Sequence, residues 1–406
     1  MRTSALVEPG PPLTREQVQR YSRHLLLGQL GEAGQRRLLA ARVLVMGAGG
    51  LGSPVLQYLA AAGVGHVTIV DDDVVDPSNL QRQVIHSTAD VGRPKVDSAA
   101  AHVRALNPDV EVTTHHLRLD AANARELLAG HDLVIDGTDN FPTRYLVNDV
   151  CAELGIPLVW GSILRFDAQV SVFWSRGEPA VTLRDLFPTP PPEGTTPSCG
   201  QAGVLGAMCG QVGSIMAAEA VKLITGTGDP LLGRVLVLDV LGARWSELPV
   251  RPRPGRHDLP RTVEALGYDP SPGADGPAAP DGGTSAGALP AITARDLARR
   301  LSERERGTDD FVLLDVRETP ERGIVTIPGA VSVPLAEVLA DPDGVVHRLD
   351  LGHPGGVARE LVVHCRSGQR SAQAVRALTD AGARAVNVEG GVLAWVTDVD
   401  PTLPSY

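Results

Sequence analysis

The stretch Arg42-Val43-Leu44-Val45-Met46-Gly47-Ala48-Gly49-Gly50-Leu51-Gly52-Ser53-Pro54 carries the strongest fold signal in this chain. Arg42–Met46 is a short apolar run of β-branched and aliphatic residues, the pattern of a strand buried on both faces of a parallel sheet. Gly47, Gly49, Gly50 and Gly52 form a glycine turn behind it. Ser53 and Pro54 then read as the N-cap and first residue of a helix. Strand, glycine turn and helix in that order open a doubly wound α/β sheet. The glycines let backbone approach a phosphate, and the helix N-terminus faces it with free N–H groups.

Beyond this helix, His66–Val70 is a second strand ending at Asp71-Asp72-Asp73, and Asp71 stands where a ribose hydroxyl would be accepted. Further strands are predicted at 110–114, 133–136, 157–161, 169–174 and 235–239, alternating with helices. The first 245 or so residues therefore read as a twisted, mostly parallel Rossmann-like sheet. Ahead of it, 14–40 reads as helix, with Thr14 and Gln17 as a capping box. The first domain is placed at 14–248. From 249 to 290 the periodicity dissolves, and 16 of those 42 residues are Gly or Pro. This is a linker, with a helical island at 261–266; as a coil it spans about 35 Å. Pattern resumes at Ile292: a helix capped by Thr293, strands at 311–315 and 361–364, and a helix at 371–381. Residues 291–406 form a second, small α/β domain.

Composition narrows the function. The net charge of −11 argues against nucleic acid or an anionic membrane as partner. No uninterrupted apolar run approaches a membrane span, and Met1–Thr14 lacks the apolar core of a signal peptide. Four scattered cysteines make no disulfide framework, so a reducing, cytoplasmic setting is expected. Lys95 and Lys222 are the only lysines beside a large excess of arginine, which gives a lysine inside a motif extra weight.

The glycine turn alone fits any NAD enzyme, and an NAD(P)-dependent oxidoreductase with a regulatory second domain is one reading. The segments downstream of the turn point elsewhere. Ser78-Asn79-Leu80-Gln81-Arg82-Gln83, Gly92-Arg93-Pro94-Lys95-Val96 and Asp136-Gly137-Thr138-Asp139-Asn140, with Arg144, supply more cations and polar groups than hydride transfer needs. Arg and Lys neutralise a phosphate chain, and an Asp beside them can hold Mg²⁺. Asp72 and Asp73 read as loop or cap acids, and Arg144 suits either the phosphates or an ion pair.

Together these segments resemble the MoeB/ThiF adenylyltransferases, relatives of the ubiquitin-activating enzymes, over about residues 14–248. The resemblance implies ATP contacts from Gly50, Asp71, Ser78, Asn79, Leu80, Gln81, Arg82, Lys95, Asp139 and Asn140. Arg82 and Lys95 would lie on the phosphates, and Asp139 would hold Mg²⁺ or position the α-phosphate. It also implies that Arg23 reaches into a neighbouring subunit's site, which makes a homodimer the working form. In such proteins a cysteine at the place of Cys199 can take the activated acyl group or resolve a disulfide. Cys151 and Cys209 read as buried and inert. Many relatives carry two CxxC pairs for zinc. Neither Leu183–Pro188 nor Pro249–Pro260 holds such a pair, so no zinc site is expected.

The second domain offers His364-Cys365-Arg366-Ser367-Gly368-Gln369-Arg370-Ser371 between a strand and a helix. Such a loop wraps backbone N–H groups around the sulfur, and Arg366 and Arg370 add positive potential. Phosphatase loops need five residues between Cys and Arg. Here there are four, a ring sized for a sulfur atom. With Leu314–Glu318, Ile327–Ala330, Glu389–Gly391 and Trp395, this domain resembles the rhodanese-type sulfurtransferases, Thr326 replacing the usual His.

With the two domains in this order, the chain resembles the MoeZ-type adenylyltransferase/sulfurtransferases. They imply adenylation of the C-terminal glycine of a small β-grasp sulfur-carrier protein ending in Gly-Gly. A Cys365 persulfide would then convert the acyl-adenylate toward a thiocarboxylate. The persulfide would come from a donor such as a cysteine desulfurase or thiosulfate. Molybdenum cofactor biosynthesis is one pathway using such carriers.

Overall fold

The computed structural model describes residues 4–190, 203–253, 289–349 and 359–405. Contacts divide the chain into one unit over residues 1–271 and another over 272–406. Most of the expected linker, and its helical island, lie outside the described residues.

The first unit opens with three helices, α1 (Arg15–Arg20), α2 (Ser22–Leu25) and α3 (Gly31–Ala40), in place of the single helix expected over 14–40. The capping box at Thr14 and Gln17 is present, but α1 ends within two turns, and Gly31, with φ +56°, starts α3 afresh. Leu6 and Val7, ahead of the expected domain start, pack on this unit, the Leu6 N–H donating to Leu223 O. Then come β1 (Arg42–Met46), α4 (Gly52–Ala62), β2 (His66–Val70), α5 (Lys95–Leu106), β3 (Glu111–His115), α6 (Ala124–Leu128), β4 (Leu133–Asp136) and α7 (Phe141–Leu154). The unit closes with β5 (Leu158–Leu164), β6 (Asp167–Phe173), α8 (Leu183–Leu186), α9 (Gly206–Thr225), β7 (Arg234–Asp239) and β8 (Arg244–Pro249).

The strand order is β3-β2-β1-β4-β5-β6-β7-β8 among the described residues. β3 through β5 run parallel, and β6, β7 and β8 are added antiparallel. Val43, Leu44 and Val45 are fully buried, as a central parallel strand covered on both faces requires. The chain order reverses beside β1, where β2 lies on one side and β4 on the other, so the carboxyl ends of β1 and β4 flank a crevice. α4 begins at Gly52 with Leu51 as its N-cap, two residues earlier than expected. Ser53 is inside the helix, its hydroxyl donating to Gly49 O.

α9 is long and apolar enough to cross a membrane by length and composition alone. It is a core helix: Met208, Val212, Met216, Ala220 and Leu223 are buried, and Gly213 lets α9 close on Pro54 of α4.

The second unit holds β9 (Ala291–Ile292), α10 (Ala294–Glu305), β10 (Phe311–Asp315), α11 (Thr319–Arg322), β11 (Val331–Ser332), α12 (Leu335–Ala340) and α13 (Pro342–Arg348). It continues with β12 (Glu360–His364), α14 (Gln369–Asp380), β13 (Ala385–Val388) and α15 (Gly391–Asp398). Its sheet, β11-β10-β12-β13-β9, is parallel throughout. Helices cover both faces, and Cys365 follows the central strand β12.

Candidate functional site

The glycine turn is held from several directions. Gly47 takes φ +89° and its N–H donates to Val70 O at 2.8 Å. The Ala48 N–H donates to Asp71 Oδ2 at 2.7 Å, and the Asp73 N–H to Asp71 Oδ1 at 2.9 Å. A methyl group at Gly52 would overlap Gly47 O, so no side chain fits there. The Gly49, Gly50, Leu51 and Gly52 N–H groups precede the first bond of α4, from Ser53 N to Gly49 O. Burial raises the Asp71 carboxyl pKa, opposed by Lys95 and by the two backbone donors.

The predicted cations come from elsewhere in the sequence. Arg82 lies against Gly50, its aliphatic carbons 3.7 Å from where a Gly50 side chain would begin, and its guanidinium donates to Ser78 O. Lys95 is the first residue of α5 and is buried; its Nζ meets Asp73 Oδ2 at 2.6 Å. Asp73, read as a loop or cap acid, is therefore the partner of the motif lysine. Ser78 and Asn79 form a short helical turn that Asp76 caps, Asp76 Oδ1 accepting from Ser78 N and Oγ. Leu80 is half-buried, and Gln81 presents its carbonyl oxygen to Gly206 at the start of α9.

Gly137 abuts Gly47, so the loop after β4 meets the glycine turn across the crevice. Asp139 and Asn140 are exposed there; Asn140 caps α7 by accepting from the Thr143 N–H at 2.9 Å. Asp136 is fully buried, and burial raises its pKa. Oδ1 takes the Thr138 N–H and hydroxyl, while Oδ2 has no hydrogen-bond partner among the described residues. Arg144 is buried, donating to Thr138 O and Ser162 Oγ beneath Phe141 and Trp160. A cavity of about 220 Å³ opens beside it, walled by Tyr145, Trp160, Leu183 and Phe187 with Gln169 at its side. Neither this cavity nor buried His86, which bridges Ala48 O and Ser98 Oγ, is visible in the motifs. Arg23 is exposed on α2, and Cys199 lies outside the described residues. Cys151 and Cys209 are buried, Cys209 Sγ lying 2.9 Å from the position of a Gly50 side chain.

The Cys365 loop is smaller and closed on itself. The sulfur is buried and accepts from the Gly368 N–H at 3.1 Å and the Ser371 hydroxyl at 3.3 Å. Gly368 takes φ +95°, which curls the loop back on the sulfur. Gly391 touches the Cys365 and Arg366 carbonyls, and Val392 and Leu393 of α15 donate to those same oxygens. Arg366, Ser367 and Gln369 complete the rim without being fully buried. Arg370, expected to add positive potential at the sulfur, pairs its guanidinium with both oxygens of Glu321, at 2.7 and 2.5 Å. Asp315 and Arg317 form a fully buried pair behind the loop.

Two family models match: ThiF family over residues 21–258 and rhodanese-like domain over 293–398. The chain is 46% identical over 404 residues to the probable adenylyltransferase/sulfurtransferase MoeZ of Mycobacterium tuberculosis, covering 99% of this chain and 98% of that protein. It is 52% identical over 262 residues to the sulfur carrier protein adenylyltransferase of Thermus thermophilus, covering 63% of this chain and 97% of that protein. The fold resembles a crystal structure of E. coli MccB with AMPCPP and MccA, with a TM-score of 0.53 and 19% identity, over 60% of this chain and 74% of that one. The chain belongs to the ThiF family and carries a rhodanese-like domain; it is an adenylyltransferase and sulfurtransferase.

Proposed function

We propose, from that membership, that the chain activates a small sulfur-carrier protein with ATP and then delivers sulfur to it from Cys365. The carrier's terminal carboxylate attacks the ATP α-phosphorus and pyrophosphate leaves, giving an acyl-adenylate. Adenylation is needed because a carboxylate is a poor acyl donor. The terminal sulfur of a Cys365 persulfide attacks the acyl carbon and AMP leaves, giving an acyl disulfide. A second thiol, from Cys199 or an external reductant, attacks that disulfide. The thiocarboxylate departs and a new disulfide with Cys365 forms.

The convergence of Arg82 and Lys95 on the glycine turn carries this reading, because two cations beside free helix N–H groups suit a triphosphate. Lys95 would exchange Asp73 for phosphate oxygens. Asp71 would accept a ribose hydroxyl with its remaining lone pairs. Asp139 stands apart as a single exposed carboxylate. That suits Mg²⁺, which takes most of its oxygens from phosphates and water. The cavity beside Arg144 has apolar walls and a buried cation, fit for a narrow peptide tail ending in a carboxylate. Arg23 would complete the site of a second subunit in a homodimer. The sulfur donor would be a protein persulfide, from a cysteine desulfurase, or thiosulfate.

The test is intact-mass analysis of candidate Gly-Gly carriers incubated with the enzyme, ATP and a sulfur source. Replacement of one carrier oxygen by sulfur is expected, together with carrier-dependent pyrophosphate exchange that disappears in Lys95→Ala. Exchange that ignores the carrier, or survives that substitution, overturns the reading.

A further inference from the structure

We propose that His86 is a positioning residue that turns the Gly49 amide outward, toward the nucleotide phosphates. The inference rests on the ATP reading of the glycine turn.

His86 is buried and joins two elements. Its Nε2 lies 2.9 Å from Ala48 O, and its Nδ1 lies 2.9 Å from Ser98 Oγ on α5, one turn beyond Lys95. A carbonyl oxygen only accepts, so Nε2 carries the proton. Burial lowers the imidazole pKa, which keeps the ring neutral. Nδ1 is then a bare acceptor, and the Ser98 hydroxyl donates to it. Asp90, Lys95 and His102 are the charged and titratable groups around the ring. The tautomer is set by the neighbours on both sides, as in a histidine whose second nitrogen is held by a fixed partner.

A trans peptide is planar, so the Ala48 carbonyl and the Gly49 N–H belong to one rigid unit and point in opposite directions. Anchoring the carbonyl inward on His86 directs the Gly49 N–H away from the core. That N–H makes no hydrogen bond among the described residues. The preceding unit is anchored in the complementary sense: the Ala48 N–H is held by Asp71, which sends Gly47 O against Gly52. Asp71 and His86 together fix two consecutive peptides of the turn. Without His86 the Ala48–Gly49 unit can rotate, and the turn loses an aligned donor before ATP arrives. Because Ser98 and Lys95 share α5, the same contact ties the turn to the helix that carries the motif lysine.

ATP titration of the full chain, with steady-state pyrophosphate exchange, tests this. His86→Leu is expected to weaken ATP binding about tenfold, the scale of one charge-assisted hydrogen bond. His86→Gln, whose amide N–H can reach the same carbonyl, is expected to restore most of that affinity. Ser98→Ala, which removes the hydroxyl that faces Nδ1 and also bonds Asp90, is expected to raise KM for ATP more than it lowers kcat. It decides the matter if the leucine variant does not fold. Leu binding ATP as tightly as His, Gln no better than Leu, or an unchanged KM in Ser98→Ala overturns the proposal. Failure of the unsubstituted chain to bind ATP removes the nucleotide reading itself, and this inference with it.

Discussion

The glycine turn at 47–52 and the cysteine loop at 365–371 are both strand-to-helix turns in a parallel sheet, and both present backbone N–H groups at the start of a helix. They differ in where the rest of the site comes from. The cysteine loop is local: the sulfur and its two donors lie within seven residues, and Gly368 bends the backbone to bring them together. The glycine turn supplies only part of its site. Arg82, Lys95 and the loop after β4 arrive from three other segments, and Asp71 and His86 brace it from below. A single buried atom can be cradled by one loop. A long polyanion that enters from solvent needs charges spread over a distance, and a sheet switch point provides them.

Disabling each loop alone puts this contrast under the most strain. Cys365→Ala is expected to abolish thiocarboxylate formation while leaving pyrophosphate exchange at its original rate, measured on one preparation with one carrier. Lys95→Ala is expected to remove exchange, a loss of at least about two to three orders of magnitude, the scale of losing one preorganised charge at a developing anion. Sulfur loading of Cys365, followed by mass, is expected to continue in that variant. Loss of pyrophosphate exchange in Cys365→Ala, or of sulfur loading in Lys95→Ala, would mean that the loops are not independent.

The glycines separate the two loops further. Gly52→Ala places a methyl group on Gly47 O, and Gly391→Ala places one on the Cys365 and Arg366 carbonyls. Each is expected to remove its own half-reaction and spare the other, with ATP binding and persulfide loading as the two readouts.

A smaller effect is expected at Glu321→Gln. It leaves the Arg370 guanidinium without its paired carboxylate, a change worth about 3 kcal/mol when a buried pair is broken. Thermal unfolding of the second unit should fall, and sulfur loading should slow several-fold rather than vanish.

Acid distinguishes the loops most gently. Burial alone would raise the Glu321 pKa, but the Arg370 hydrogen bonds and charge outweigh it and leave the carboxyl below its ordinary 4.5. A depressed carboxyl contributes stability above its unfolded value and loses it as pH falls through the folded one. His364 acts in the same direction. It is buried behind Cys365, and burial, partly offset by Asp315, pushes it down to about 4. Between its ordinary 6.5 and that value the unfolded chain binds the extra proton. The second unit is thus expected to lose stability as pH falls from 6.5 toward 4, and His364→Gln should flatten the His364 part of that slope in a calorimetric series.

Much of the fold was legible because its signals are local. The run at 42–46, the glycines behind it and the alternation of strand and helix need no partner to be recognised. Expectation and structure part where the deciding contact is distant. The span 14–40 has helical periodicity, yet breaks into three helices, at Tyr21 and again across residues 26–30, which hold Gly28. β8 was missed because every one of its residues is exposed, so no apolar alternation marks it. The Arg370–Glu321 pair joins residues 49 apart, and no spacing rule connects them. His86 gave no motif signal because its role is carried by a backbone carbonyl.

Which side chains are candidates for the chemistry was written in the residues themselves: a glycine turn behind a strand, one scarce lysine inside a motif, and a cysteine in a ring sized for sulfur. Which way those groups face, and what braces them, was settled by folding. Asp73 against Lys95, His86 under Ala48 and Glu321 across Arg370 are meetings between segments that only burial brings together, and a linear order of residues carries no distance between them.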